Sequence, residues 1–229
     1  MTITPTRTDV CAISLARTAG GRVRVTSSGG PFRVITLAAG ADSARVALVP
    51  DRALLLAGDS VTVSISVAAG LSLHVVETSG TVAYDMRGSS ASWTCSATVG
   101  VGGGLVLDSL PWVSAHGSDV ARSLAVDLGE QATLLARETL VLGRSGEGPG
   151  SLTARTTISR EGRPVLIEEL CSGHLAPYRI VDGVLAIGHP TTVATRPIVL
   201  ESGDRLWRWL GREAHATALD LDPVWAALV

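Results

Sequence analysis

In Ser60-Val-Thr-Val-Ser-Ile-Ser-Val67 every second residue is a branched aliphatic, and each residue between them is Ser or Thr. Only an extended backbone places residues i, i+2 and i+4 on one face. A helix would spread the same residues around its circumference. The segment is therefore a strand whose apolar face carries Val61, Val63, Ile65 and Val67. The same period, or short apolar runs compatible with it, recurs at Gly20–Thr26, Leu71–Val75, Gly104–Leu107, Arg122–Leu128, Thr133–Leu142, Leu152–Arg160 and Pro164–Leu170. Glycine-rich turns separate them at Ala68–Gly70, Gly100–Gly104, Gly143–Gly150 and Glu161-Gly162. Short strands punctuated in this way indicate an all-β fold, and periodicity alone leaves sandwich, barrel and β-helix open.

The last third differs. Asp204-Arg-Leu-Trp-Arg-Trp-Leu210, continuing into Arg212–Ala216, reads as a helix covering a sheet edge. Asp222-Pro223 suits the start of a short final helix that carries Trp225. The expectation is one domain over 1–229, mainly β, with a helical C-terminal segment at about 203–229.

Composition narrows the function. The chain has 229 residues, 46% of them hydrophobic, a mean hydropathy of +0.34 and only 17% charged residues. No uncharged apolar stretch reaches the roughly 18 residues of a membrane span. High hydropathy without a span points to surface reserved for partner proteins. Met1–Arg7 lacks a basic region followed by an apolar core, so no secretory leader is expected. Cys11, Cys95 and Cys171 are scattered and odd in number, which fits a reducing cytoplasm rather than a disulfide framework. With a net charge of −2 and no basic run, nucleic acid is not an expected partner. All 19 basic residues are arginine, so Schiff-base chemistry and a phosphate-binding lysine are excluded.

Familiar catalytic motifs are missing. Gly100–Gly104 leads into a strand and lacks G-x-G-x-x-G spacing, and Gly143–Gly150 has neither the Lys-Ser/Thr nor the following helix of a P-loop. There is no G-x-S-x-G elbow. Cys171-Ser-Gly-His174 supplies half a zinc site with no second pair. His74 reads as a solvated or satisfied side chain, and His116, His189 and His215 stand alone.

Carboxylates on apolar faces are the exception. Asp59 shares parity with Val61, Val63, Ile65 and Val67, and Glu77 with Leu71, Leu73 and Val75. Glu138 sits amid Leu134, Ala136, Leu140 and Leu142, and Glu168 lies between Leu166 and Leu170. If those faces point inward, each carboxylate must be paired, hydrated, neutralised or bound to a cation, because burying it alone costs several kcal/mol or more. Arg137 and Arg144 are the nearby candidates to pair Glu138. Carboxylate and water hold late first-row divalent metals more weakly than thiolate or imidazole. A file of carboxylates therefore suits a cation in transit rather than one in storage.

Several segments resemble the urease accessory protein family UreD, also called UreH. They are Leu56-Ala-Gly-Asp59 before the alternating strand, Val76–Arg87 with Tyr84 and Arg87, and Leu107-Asp-Ser-Leu-Pro-Trp112. The strongest is Ala132-Thr-Leu-Leu-Ala-Arg-Glu-Thr-Leu-Val-Leu-Gly-Arg-Ser-Gly-Glu147, continued by Arg160-Glu-Gly-Arg-Pro-Val-Leu-Ile-Glu168. The resemblance runs from about Gly21 to about Leu170. It departs at Ala57, where the family has glycine, and at Asp85-Met86, which stretch the Tyr-Arg element. It implies a right-handed β-helix-like body with a few helices, no catalytic activity, and no tightly bound cofactor. It implies partners too: UreF, the GTPase UreG and apo-urease in the cytoplasm, with a dimer of accessory complexes. An internal tunnel would lead nickel to the urease active site. Asp59 and Glu138 match the family's acidic positions on that route, and strand parity extends the candidate set to Glu77 and Glu168. The rival is a β-helix lyase or hydrolase acting on carbohydrate with two carboxylates across an open cleft.

Overall fold

The computed structural model describes residues 7–190, 193, 195–212 and 221–229. In chain order the strands are β1 (Arg7–Arg17), β2 (Val23–Ser28), β3 (Phe32–Ala39), β4 (Ser43–Pro50), β5 (Asp59–Val67) and β6 (Ser72–Glu77). Next come β7 (Thr81–Ala83), β8 (Ala91–Val99), β9 (Gly104–Asp108), β10 (Trp112–Ser114), β11 (Asp119–Leu128) and β12 (Thr133–Leu142). The last are β13 (Ser151–Arg160), β14 (Arg163–Cys171), β15 (Ile180–Ile187), β16 (Ile198–Val199) and β17 (Arg205–Gly211).

They form two facing sheets. The first runs β14-β13-β11-β8-β5-β1-β2, and the second β16-β17-β15-β12-β9-β6-β4-β3 with β10 and β7 beside β12. The chain alternates between them, so β5, β8, β11 and β13 stack in parallel in one sheet while β4, β6, β9 and β12 stack in parallel in the other. This is solenoid-like stacking in a mainly β chain: the strand periods gave the all-β class, and the resemblance implied the β-helix-like stacking. Antiparallel partners close both ends: β1–β2 and β3–β4 at one, β13–β14, β12–β15 and β15–β17 at the other.

The alternating residues explain the layers. Val61, Val63, Ile65 and Val67 are buried against Leu71, Leu73, Leu105, Leu134 and Leu140 from the other sheet in one core cluster. The intervening hydroxyls form ladders on the outer face: Ser92 donates to Ser60 (3.0 Å) and Ser123 to Thr94 (3.2 Å). The glycine-rich turns stack as well, since the Gly100 N–H donates to the Val67 carbonyl and the Gly129 N–H to the Val99 carbonyl, both at 2.8 Å. The coils approach too closely there for a side chain. A Cβ on Gly100 would lie 2.6 Å from the Ala69 nitrogen, and one on Gly129 2.8 Å from the Val101 nitrogen.

One expectation is corrected. Arg205–Gly211 is strand β17, not a helix, and 213–216 of the expected continuation lie outside the described residues. The cause is that both faces of β17 are covered. Leu206 enters the main core, while Trp207 packs outside the second sheet with Leu135, Val184 and Ala186. Apolar residues therefore fall on both parities and hide the strand period. Residues 221–226 are helical as expected, and Leu221, Val224 and Trp225 cover that outer cluster. Among the described residues no helix is long and apolar enough to cross a membrane.

Candidate functional site

Strand register brings the inward carboxylates into one row. Glu138 pairs with Gly183, and Gly183 with Arg208. In the other direction, Val76 and Arg137 both pair with Asp108. The next position inward is therefore Glu77 on β6, Ser109 just past β9 and Glu138 on β12. The polar row Glu77, Ser109, Glu138, Gly183, Arg208 thus crosses the inner face of the second sheet from coil to coil. Cys95, Arg122, Thr156 and Glu168 face it from the first sheet.

Two adjoining cavities lie along this row. One, of about 50 Å³, is lined by Glu77, Cys95, Ser109, Arg122 and Glu138 among apolar neighbours. The other, of about 30 Å³, is lined by Glu138, Thr156, Glu168, Gly183 and Arg208. They share Leu124, Ala136 and Glu138. A water needs about 10–15 Å³ of such space and polar partners, so each cavity can hold a few waters.

The charges are compensated across the sandwich. Arg122 on β11 donates from Nη1 to Glu138 Oε1 on β12. Arg208 on β17 donates from Nη2 to Glu168 Oε2 on β14, 2.5 Å away. Each ion pair therefore joins one sheet to the other. Glu77 accepts the Leu110 N–H (3.0 Å), and its carboxyl is pushed up to about 7 by burial, with Glu138 and Asp108 adding to the rise and Arg122 opposing it. Burial pushes the Cys95 thiol up to about 12, so at neutral pH it offers no thiolate.

Glu77, Glu138 and Glu168 thus meet along the cavities, and Asp59 does not join them. Asp59 is buried at the start of β5, where it accepts the Leu56 N–H (2.9 Å) and pairs with Arg52 (3.0 Å), which also holds Asp9 (2.6 Å). That arrangement fixes a turn. Neither suggested arginine pairs Glu138: Arg144 binds Glu147 (2.7 Å). Arg137 points to the opposite face, where it meets Asp222 (2.5 Å) and the buried Asp182 (3.7 Å). Arg122 and Arg208 are the residues the sequence reading missed. Arg122 shares parity with Val120, Leu124 and Val126, the same signal that marked Glu138. Cys171 lies near Glu169 and Thr153 at 3.9–4.0 Å, with His174 in a 3₁₀ turn. His215 lies outside the described residues. Among the described residues no three His, Cys, Asp or Glu converge into a group that could hold a metal ion. The carboxylates are instead strung out one after another.

The Leu142–Glu147 segment turns out to be a braced loop. Arg179 donates from Nε to the Leu142 carbonyl (3.0 Å) and from Nη2 to the Glu147 carbonyl (2.6 Å). Comparison with known proteins then decides the family. Residues 8–227 match the family described as UreD urease accessory protein. The chain belongs to the UreD family. It is 41% identical over 191 residues to urease accessory protein UreD 1 of Streptomyces griseus, covering 79% of this chain and 75% of that one. It is 38% identical to urease accessory protein UreD of Streptomyces avermitilis over 87% of this chain and 81% of the relative. With the Streptomyces coelicolor protein of the same description the identity is 38%, over 89% and 85% of the two chains. The UreD match therefore reaches well beyond Gly21–Leu170, through the edge strands and into the final helix.

Proposed function

We propose that this chain serves urease maturation by handing nickel to the apo-urease active site through the interior of its two-sheet body. The observation that carries the proposal is that Glu77, Glu138 and Glu168 line two adjoining, otherwise mainly apolar cavities along the polar row. The row crosses the strands and so connects one coil to the next. Carboxylates and water bind Ni²⁺ weakly enough to release it, and the protonated Cys95 thiol adds no tight soft donor. Asp59 holds a turn outside the cavities, so its part in the route is indirect. The working unit is a cytoplasmic complex with UreF and the GTPase UreG docked on apo-urease, with accessory complexes pairing as dimers. The chain carries no catalytic step and keeps no resident cofactor, nickel being its cargo. The carbohydrate-enzyme alternative is less well supported: Glu138 and Glu168 each hold a guanidinium between the sheets rather than standing across an open cleft.

The test is the nickel content of urease purified from cells with this protein, without it, or with Glu138→Gln, all other accessory proteins being present. Gln is chosen over Leu because it can still accept from Arg122, whereas an apolar side chain would leave that buried cation unpaired, at about 3–5 kcal/mol. Nickel is expected to fall at least fivefold without the protein and severalfold with Glu138→Gln at normal protein level. Equal loading in all three strains would remove the maturation role. Equal loading with Glu138→Gln alone would remove the interior route.

A further inference from the structure

The interior row already contains cations, and they belong to the protein. Along it the charges alternate: Glu77, Arg122, Glu138, Arg208, Glu168. Arg122 and Arg208 occupy one cavity each, and each reaches its carboxylate from the facing sheet. Both side chains are largely buried, with 13% and 15% of their surface exposed. Neither guanidinium is fully satisfied, because Nε of Arg122 and Nε of Arg208 are buried without a hydrogen-bond partner among the described residues. Of the five N–H donors of each fork, the carboxylate bond across the sandwich uses one Nη and leaves the buried Nε without a partner. Each also has a second carboxylate within its own cavity, Glu77 for Arg122 and Glu138 for Arg208.

We infer that Arg122 and Arg208 are resident counter-cations that keep the interior carboxylates Glu138 and Glu168 closed to divalent metal until the guanidiniums are displaced from them. The inference rests on the delivery reading for its biological purpose, but its physical content stands on the ion pairs alone. A guanidinium bonded to a carboxylate cancels the charge that would attract Ni²⁺ and occupies the space the ion needs. Arginine stays charged at any physiological pH, so the block cannot be lifted by deprotonation. It is lifted by displacement. The isolated chain therefore holds its row shut, in keeping with the lack of a ready-made metal group among the described residues.

The experiment is equilibrium dialysis of the full, untagged chain against Ni²⁺ alone, with circular dichroism to verify folding. Arg122→Met keeps an unbranched apolar stem but removes the guanidinium and its charge. It is expected to retain about one Ni²⁺ per chain at least tenfold more tightly than the wild type, and Arg122→Met/Glu138→Gln is expected to lose that gain. Arg208→Met should behave in the same way with Glu168→Gln as its reversal, and it decides the matter if the Arg122 variant does not fold. Arg122→Lys, still a cation, should stay at the wild-type level. Folded Met variants that retain no more Ni²⁺ than wild type would overturn the inference, as would a gain that survives loss of the partner carboxylate. The two readings separate cleanly. If urease loading depends on Glu138 but neither Met variant gains Ni²⁺, the closure fails and delivery stands. If the Met variants gain Ni²⁺ while loading ignores Glu138→Gln, the closure stands and delivery fails.

Discussion

Glu77 differs from its neighbours along the cavities because, among the described residues, no guanidinium is bonded to it. Its carboxyl, raised to about 7 chiefly by burial, binds its proton more tightly in the folded chain than in the unfolded one, where 4.5 is usual. Between those values the folded state carries more bound protons, so the contribution of Glu77 to stability is fully present below about 4.5 and is lost as pH rises through about 7. Glu77→Gln should remove that decline and leave the variant about 1–3 kcal/mol more stable than wild type at pH 8. Urea denaturation at pH 5 and pH 8 measures it, and equal slopes for both proteins would disprove the burial effect. At this scale the sequence was informative about sign and face. Parity alone put Glu77, Glu138 and Glu168 among apolar residues, and they line the cavities. It was uninformative about partners. Arg122 lies 16 residues from Glu138 and on the other sheet, and no local spacing encodes a contact made across the sandwich. Asp59 carried the same parity signal yet serves a turn, because it stands at the strand end where Arg52 can reach it.

Among the elements, those with one face inward and one outward were legible, as β5 and β13 show. Those covered on both faces were not. Every residue of β15 is buried, so Ile180–Ile187 has no alternation to read. In β17 the tryptophans under the terminal helix fill the parity that solvent would otherwise mark as polar. The strand β11 was legible only from Arg122 onward, which placed that arginine at an apparent end; the ladder starts at Asp119 and makes it an interior residue. The stacked turns carry their own prediction. Gly129 touches the backbone of the preceding coil, so Gly129→Ala forces the two turns apart and should cost about 1–3 kcal/mol, read as a lower denaturation midpoint. An unchanged midpoint would mean that the coil spacing is loose at this corner. The terminal helix makes a second test. Deleting 221–229 uncovers Leu135, Val184, Ala186 and Trp207 and removes Asp222 from Arg137. The truncated chain should aggregate and lose several degrees of thermal stability. A soluble truncation with the native melting temperature would show that the outer cluster needs no cover.

At the scale of the whole molecule, parallel coils lie between antiparallel ends. Each central strand is hydrogen-bonded on both sides, whereas β2, β3, β14 and β16 have a single neighbour. Hydrogen exchange should therefore be slowest in β8, β9, β11 and β12 and fastest in those four strands. Uniform protection would instead indicate that the ends are as firmly held as the middle. The same geometry says something about distance. The polar row runs across the strands, so its reach is counted in coils and not in residues along any one strand. From β6 to β17 it crosses four gaps of about 4.8 Å, roughly 19 Å in all. An inserted or deleted coil would lengthen or shorten the row by one such gap and leave its cross-section unchanged. Longer strands would make the body wider and the row no longer. A chain built in this way can change how far its interior reaches without redesigning what lines it.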